Sequence, residues 1–212
     1  VGWYINARPV SVTGFGGIMK WSEDGRNVPD TIQAVIEYPG GVRLLYDCTL
    51  ANSFDADYEV LFGSDGAIML RQNKAWMFKE VDSPLLGWEV YAQKDTFYKE
   101  TGIALVANAT KLSAQGDKPA EEAPFTNTPL HHALETFIAN SGTVGAAVED
   151  FTANFGEDAK ALKEYLAKLA KDALPAAGCQ DGYDATVIAL KANEAITKGE
   201  KVTFQKEWFE LS

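Results

Sequence analysis

Between residues 28 and 70 the chain reads VPDTIQAVIEYPGGVRLLYDCTLANSFDADYEVLFGSDGAIML, and this stretch narrows the possible folds more than any other. Ile32, Ala34, Ile36 and Tyr38 recur with a period of two, and so do Val42, Leu44, Tyr46, Cys48 and Leu50. A period of two places each set on one face of an extended strand, and burial of that face drives it against a core. Pro39-Gly40-Gly41 separates the two runs: proline cannot donate to a ladder and glycine accepts positive φ, so the tripeptide predicts a tight reversal. Tyr58, Val60 and Phe62 then alternate up to Gly63-Ser64-Asp65-Gly66, and Ile68 and Leu70 alternate after it, predicting a second hairpin.

The flanking segments extend this pattern. Residues 9–21 read as a first strand in which Gly14, Gly16 and Gly17 indicate a bulge or a close backbone approach. GFGGIM within it is not a nucleotide loop, because Met19 stands where the third glycine is required and no helix pattern follows. Trp76 and Phe78 predict a strand over 74–81; weaker strand signals lie at 90–98 and 102–108, before a loop at 115–124. Thr128 as N-cap and Pro129 at the first helical position open a helix whose apolar face is Leu130, Leu134, Phe137 and Ile138, up to Ser141-Gly142. Residues 156–173 carry Leu162, Tyr165, Leu166 and Leu169 at helical spacing, closed by Pro175 and Gly178. This amphipathic helix is expected to pack on its neighbours, with a subunit contact as the alternative. A last helix from 181 or 182 to about 198 and a strand over 201–208 complete the chain.

Strands first and helices afterwards predict a single α+β domain over 1–212: an open, mainly antiparallel sheet with helices packed on one face. The opposite face would carry Gln33, Val35, Glu37, Arg43, Leu45, Asp47, Thr49, Leu61, Met69 and Met77. That mixture is too apolar for easy solvation and too polar for a core, which predicts a subunit interface.

Composition removes several function classes. Hydrophobic residues at 46% and charged residues at 23% belong to a globular chain, and no apolar run reaches the roughly 18 residues of a membrane span. A formal charge of −11 without a basic patch argues against nucleic acid and anionic membrane as partners. Cys48 alternates with Tyr46 and Leu50 and reads as a small buried hydrophobe; Cys179, in a glycine-containing loop, reads as an exposed thiol. Neither has metal-ligand spacing.

Candidate chemistry is sparse. His131-His132 is the one histidine pair, yet adjacent helical residues point about 100° apart and no third ligand is suitably spaced, so a structural role is expected. The pairs Asp55 and Asp57, and Glu121 and Glu122, lie in loop-like contexts and read as solvated carboxylates. No G-x-S-x-G nucleophile elbow occurs. Trp21-Ser22-Glu23-Asp24-Gly25-Arg26 brings an aromatic ring, carboxylates and a guanidinium into six residues, a set able to recognise polyol hydroxyls or a carboxylate. Trp21, Asp24 and Arg26 are therefore the candidate substrate-binding residues, although Asp24-Gly25 is also an ordinary hairpin dipeptide.

Several short elements occur in an order that suggests a family. DGRNVPDT at 24–31, EYPGG at 37–41, the Tyr-x-x-x-x-Gly-x-x-Gly spacing from Tyr58 to Gly66, and YDATVIALKANEAITKGEKVTFQKEWFEL at 183–211 together resemble the C-terminal domain of the Gfo/Idh/MocA oxidoreductases. The likeness is strong over about a third of the chain, looser over 1–21 and 130–142, and lost over 155–178, which reads as a helical insertion. The resemblance implies a parent enzyme with an N-terminal Rossmann domain binding NAD or NADP and transferring hydride to or from a sugar or polyol. It implies homo-oligomers formed through the open sheet face and an architectural histidine near the start of the 130s helix; a cytoplasmic location is expected, with export of the full-length protein as the alternative. It also implies that the catalytic machinery lies outside this chain. No dinucleotide fingerprint or Glu-Lys-Pro motif is present, and Trp3 and Tyr4 match the tail of the helix that carries the family's Asp-x-x-x-His element. The start VGWYIN, without an initiator Met, fits an N-terminal portion preceding it. No catalytic residue, cofactor site or metal site is expected within 1–212, and the domain alone is expected to be inactive.

Overall fold

A computed structural model describes residues 1–54, 57–71, 74–86, 94–97, 100–104 and 127–211. The chain divides into two compact units, one formed by Val1–Phe54 with Ala177–Ser212 and the other by Asp55–Ala176. The architecture is α+β with antiparallel sheets, as the strand-then-helix order predicts, but the strands of 28–70 belong to two sheets rather than one.

In the first unit, helix α1 (Gly2–Ile5) precedes β1 (Ser11–Gly17), β2 (Thr31–Glu37) and β3 (Arg43–Thr49); helix α4 (Cys179–Lys198) and β9 (Val202–Thr203) return from the far end of the chain. The sheet order is β3-β2-β1-β9, every pair antiparallel. The β2–β3 reversal is the one the Pro-Gly-Gly chemistry predicts: Gly40 and Gly41 have φ of 76° and 80°, and Tyr38 N–H donates to the Val42 carbonyl at 2.8 Å. Val12, Ala34, Ile36 and Tyr38 face α4 and close with Ala195 into the core, with Ile188, Ala192 and Leu44 packed around it.

Two glycines make that closeness possible. A Cβ on Gly14 would stand 2.5 Å from the Gln33 carbonyl oxygen and 3.0 Å from Ile196 Cγ1, and one on Gly16 would stand 2.9 Å from Ile196 Cγ2. The glycine-rich β1 is thus the close approach its sequence indicated, with the helix seated where side chains are missing. Helix α4 begins at Cys179, so that thiol is exposed on the first helical turn rather than in a loop. Asp181 reaches back to the Gly178 N–H at 2.7 Å, and Gly199 ends the helix with φ 67°.

The closing strand expected over 201–208 is much shorter. Only Val202–Thr203 pairs with β1, and Lys206–Phe209 turns into a 3₁₀ helix. Phe209 is buried there beneath the Arg8 guanidinium, which also donates to its carbonyl at 3.2 Å and grips Asp184 at 2.8 Å. Burying an aromatic ring outweighs a ladder that could be extended by only a few residues.

The second unit holds β4 (Glu59–Phe62), β5 (Gly66–Arg71), β6 (Lys74–Lys79), β7 (Lys94–Phe97) and β8 (Glu100–Ala104), ordered β4-β5-β6-β8-β7. The β4–β5 hairpin closes with Gly63 N–H on the Gly66 carbonyl at 2.8 Å. Val60, Met69 and Trp76 oppose one another on one face, while Leu61, Ile68 and Met77 share the other. Strands β7 and β8 fall near the two weak signals of this region; residues 105–108 and the loop at 115–124 lie outside the described residues.

Helix α2 (Pro129–Phe155) starts as predicted, Thr128 Oγ1 accepting the His131 N–H at 3.2 Å, but it runs past Ser141-Gly142 to a cap at Gly156. A helical glycine costs about 1 kcal/mol relative to alanine, and the turns beyond it bury Ala147 and Phe151. Helix α3 (Ala159–Leu169) opens at Asp158, whose carboxylate accepts two N–H groups at 3.0 Å. Its Tyr165 ring stacks on Phe151 at 5.6 Å, so the amphipathic segment packs on its neighbouring helix.

Candidate functional site

The loop between β1 and β2 is built around one buried carboxylate. Asp30, 2% exposed, accepts the N–H groups of Met19 at 2.9 Å, Lys20 at 2.8 Å and Trp21 at 3.0 Å, and the Thr31 hydroxyl at 3.1 Å. Its own N–H donates to the Gly17 carbonyl and its carbonyl accepts the Leu50 N–H. Three backbone donors converging on one carboxylate hold its pKa at about 2, the Met19 N–H contributing most. Asp30 therefore fixes where the loop leaves β1 and where it enters β2.

On this anchored base the loop brings Trp21, Asp24 and Arg26 together. Gly25 has φ 76°, which turns the chain so that the Arg26 guanidinium folds back on Asp24: Nε lies 2.8 Å from both carboxylate oxygens, and Nη2 closes the fork. The pair is mutually stabilised, the hydrogen bond from Arg26 lowering the Asp24 pKa and Asp24 raising that of Arg26. The Arg26 guanidinium lies 5.2 Å from the Trp21 ring centroid and Lys20 Nζ lies 4.9 Å from it. These are cation–π distances. Lys20 Nζ also donates to the Ala51 carbonyl at 3.1 Å.

Beside this cluster opens a shallow cleft of about 350 Å³, lined by Asp24, Gly25, Arg26, Val28, Pro29 and Leu50. Its lining combines the apolar Val28, Pro29 and Leu50 with the Asp24–Arg26 ion pair. A ligand with C–H faces and hydroxyl edges suits that division: the hydroxyls would share the Asp24–Arg26 hydrogen bonds while the ring carbons cover Val28, Pro29 and Leu50. Proton transfer is a poor fit, because a carboxylate held below its usual pKa and a guanidinium held above its own are both fixed in charge near neutrality.

Sequence reasoning selected Trp21, Asp24 and Arg26, and the structure places all three in one loop, Asp24 and Arg26 on the cleft and Trp21 beneath the two cations. It missed Asp30, which lies in VPDT immediately before a strand. An aspartate closing a loop that begins with an unpaired strand end is the available signal, since its side chain can satisfy the donors the strand leaves behind.

The histidine pair lies in the other unit. His131 and His132 occupy the first turn of α2 with rings edge to face, centroids 5.7 Å apart, and His132 Nδ1 stands 3.5 Å from Glu135 Oε2. The backbone N–H of His131 serves the Thr128 cap. Among the described residues no group of three His, Cys, Asp or Glu is placed to hold a metal ion, and no helix is long and apolar enough to cross a membrane. Asp57 is exposed; Asp55, Glu121 and Glu122 lie outside the described residues.

The face of the first sheet turned away from α4 is exposed. It carries Thr13, Phe15, Gln33, Val35, Arg43, Leu45 and Asp47, with Phe15 77% and Leu45 74% exposed. Gln33 Nε2 bonds Asp47 at 3.0 Å and Thr31 bonds Thr49, while Glu37 takes Ser11 and Lys201. Leu61, Met69 and Met77 do not continue this face. They belong to the second sheet, where Met69 opposes Val60 and Trp76 and is buried on the side away from Leu61 and Met77. Leu61 and Met77 were carried across a break between sheets, whereas Met69 was misplaced within the second sheet: the β4–β5 register sets it opposite Val60 rather than Leu61, and a one-residue change of register moves a side chain to the other face.

Compared with models of known protein families and with curated proteins, the chain matches none.

Proposed function

We propose that this chain is the substrate-binding and oligomerisation domain of an NAD(P)-dependent sugar or polyol oxidoreductase, one whose nicotinamide site and acid–base residues lie in another part of the protein. The observation that carries the reading is the first sheet: one face is closed by α4, while the other leaves Phe15 and Leu45 exposed among hydrogen-bonded polar side chains. Such a face buries apolar surface only against a partner, and a second copy is the partner the reading names. The Trp21, Asp24 and Arg26 loop supplies a polyol-binding edge beside the apolar Val28, Pro29 and Leu50 of the cleft. The motif order from 24 to 66 and from 183 to 211 supports the same reading.

Light scattering at high protein concentration and calorimetry with a panel of sugars and polyols test it together. An oligomeric mass that Phe15→Arg lowers, and saccharide binding that Arg26→Ala weakens, are expected. A strictly monomeric mass, or tight NAD(P)H binding by this chain alone, would overturn it. A second reading, a saccharide-binding or scaffold module with no catalytic step, is favoured by the fixed charges of Asp24 and Arg26. Sequence immediately upstream separates the two: a GxGxxG-bearing βαβ unit followed by an Asp-x-x-x-His element supports the oxidoreductase.

A further inference from the structure

Strand β3 ends the first sheet, and its outer edge is unusually complete. It runs seven residues, Arg43–Thr49, without a proline, and among the described residues no strand pairs with its outer side. The ladder with β2 fixes which backbone groups face outward. Tyr38 N–H donates to Val42 C=O and Leu50 N–H to Asp30 C=O, so the even-numbered residues 42–50 direct their backbone groups at β2. Arg43, Leu45, Asp47 and Thr49 therefore present N–H and C=O to the open edge. An edge of this length is a template for another strand, and natural proteins usually blunt it with proline, a bulge or repeated lysines.

The side chains select the occupant. When two copies of β3 are set antiparallel about a two-fold axis at Leu45, Arg43 of each falls opposite Asp47 of the other, Leu45 opposes Leu45, and Leu44 opposes Tyr46. All three odd-numbered residues use their outward backbone groups, giving hydrogen-bonded pairs about 5.5 Å apart at Cα. An axis at Arg43 or at Asp47 would instead oppose like charges, and axes at Leu44 or Tyr46 leave both charges without an opposite partner. Arg43 and Asp47 share the exposed face, where Arg43 is 66% exposed and holds Glu37 only at 3.9 Å, and Asp47 accepts the Gln33 amide on Oδ1 at 3.0 Å, leaving Oδ2 to meet a cross-strand guanidinium.

We infer that two copies of this chain join edge to edge through β3, in antiparallel register about Leu45, and so extend the sheet across the pair. The pairing rests on the geometry of β3 and does not depend on the oxidoreductase reading. It differs from association through the sheet face, which needs Phe15 on β1.

Phe15→Arg removes the face contact and lets the edge be read alone. In that background sedimentation is expected to show a dimer. Adding Asp47→Arg or Arg43→Asp turns both cross-strand pairs into like-charge pairs, and each variant should dimerise at least about tenfold more weakly. Mixed one to one, the two charge variants restore both opposite-charge pairs and should recover a heterodimer, visible by native mass spectrometry. Circular dichroism confirms that each variant is folded. A monomeric Phe15→Arg protein, charge variants that dimerise as tightly as their parent, or folded charge variants that fail to pair on mixing would each overturn the edge pairing, with saccharide binding at the Arg26 cleft unaffected.

Discussion

Replacing Gly14 by alanine tests the claim that β1 is closely approached where its side chains are missing, by the β2 backbone as well as by α4. The new Cβ would lie 2.5 Å from the Gln33 carbonyl oxygen and 3.1 Å from Ala34 Cα, and ordinary contact begins near 3.4 Å. The strands must therefore part by most of an ångström, and the obstacle is backbone, which cannot rotate away as a side-chain tip can. Overpacking of a close-packed site costs about 1–3 kcal/mol, and a backbone obstacle places Gly14→Ala at the upper end. At roughly 2–4 °C per kcal/mol for a chain of this size, scanning calorimetry should show a melting temperature lower by about 6–12 °C. Gly16→Ala separates the mechanisms, because its nearest obstacle is Ile196 Cγ2 at 2.9 Å. Truncating Ile196 to alanine should remove part of the Gly16→Ala penalty, a coupling within the range of about 0.5–3 kcal/mol seen for residues in contact. The same truncation should rescue Gly14→Ala far less. Gly142, inside α2 with nothing within 4 Å of its Cβ position, is the opposite case; alanine there should stabilise by about 0.5–1 kcal/mol. A Gly14→Ala protein melting within 2 °C of the parent would refute the close-approach argument.

Three other perturbations follow from the site and the helices. Asp30 has its folded pKa lowered to about 2 from an ordinary 3.8, so its contribution is complete above pH 4 and is lost as pH falls toward 2; Asp30→Asn should melt lower at pH 7 and flatten the pH dependence between 4 and 2, and an unchanged acid profile counts against its anchoring role. Thr128→Ala removes the cap on the His131 N–H and should cost about 1 kcal/mol, read by thermal denaturation followed at the helical band. Trp21→Ala removes the ring that Lys20 and Arg26 share, so saccharide affinity measured by calorimetry should fall with it; equal affinity in the two proteins would place the ligand elsewhere.

Local chemistry was legible wherever a short-range force decides the structure. Pro39-Gly40-Gly41, Gly63 to Gly66, the Thr128 cap and the Gly199 stop each act through a few neighbouring atoms, and each is where the residues predict a turn or a helix end. The length of α2 was not legible, because Ser141-Gly142 signals a stop that Phe151 overrides through contacts with Tyr165 in another helix. The closing segment is the same case: Phe204, Trp208 and Phe209 have the composition of a strand, and burial of Phe209 under Arg8 turns them instead. Of the site, the loop that carries Trp21, Asp24 and Arg26 was readable from its residue types, while the contribution of Leu50 to the cleft was not, since Leu50 is brought beside the loop by the pairing of β3 with β2 and by its N–H bond to the Asp30 carbonyl.

The break between the two sheets shows why a strand pattern can be right in every strand and still misplace a face. After Thr49 the chain turns away from its ladder by side-chain chemistry: Thr49 Oγ1 accepts the Ala51 N–H at 3.1 Å and Asn52 Oδ1 accepts the Phe54 N–H at 2.9 Å. These are the Ser/Thr and Asx turns that compete with sheet pairing, so the signal for leaving the sheet was present in TLANS. What alternation lacks is any record of which strand is the neighbour. Inward and outward positions within β3 follow from its own sequence, and so do those within β4 and β5. The phase between them depends on whether β3 pairs with β4, which it does not. That missing pair is also what leaves the edge of β3 open, so the misassigned Leu61 and Met77 and the self-complementary edge at Leu45 share one structural cause, while the side on which Met69 lies is set by the β4–β5 register that puts it opposite Val60.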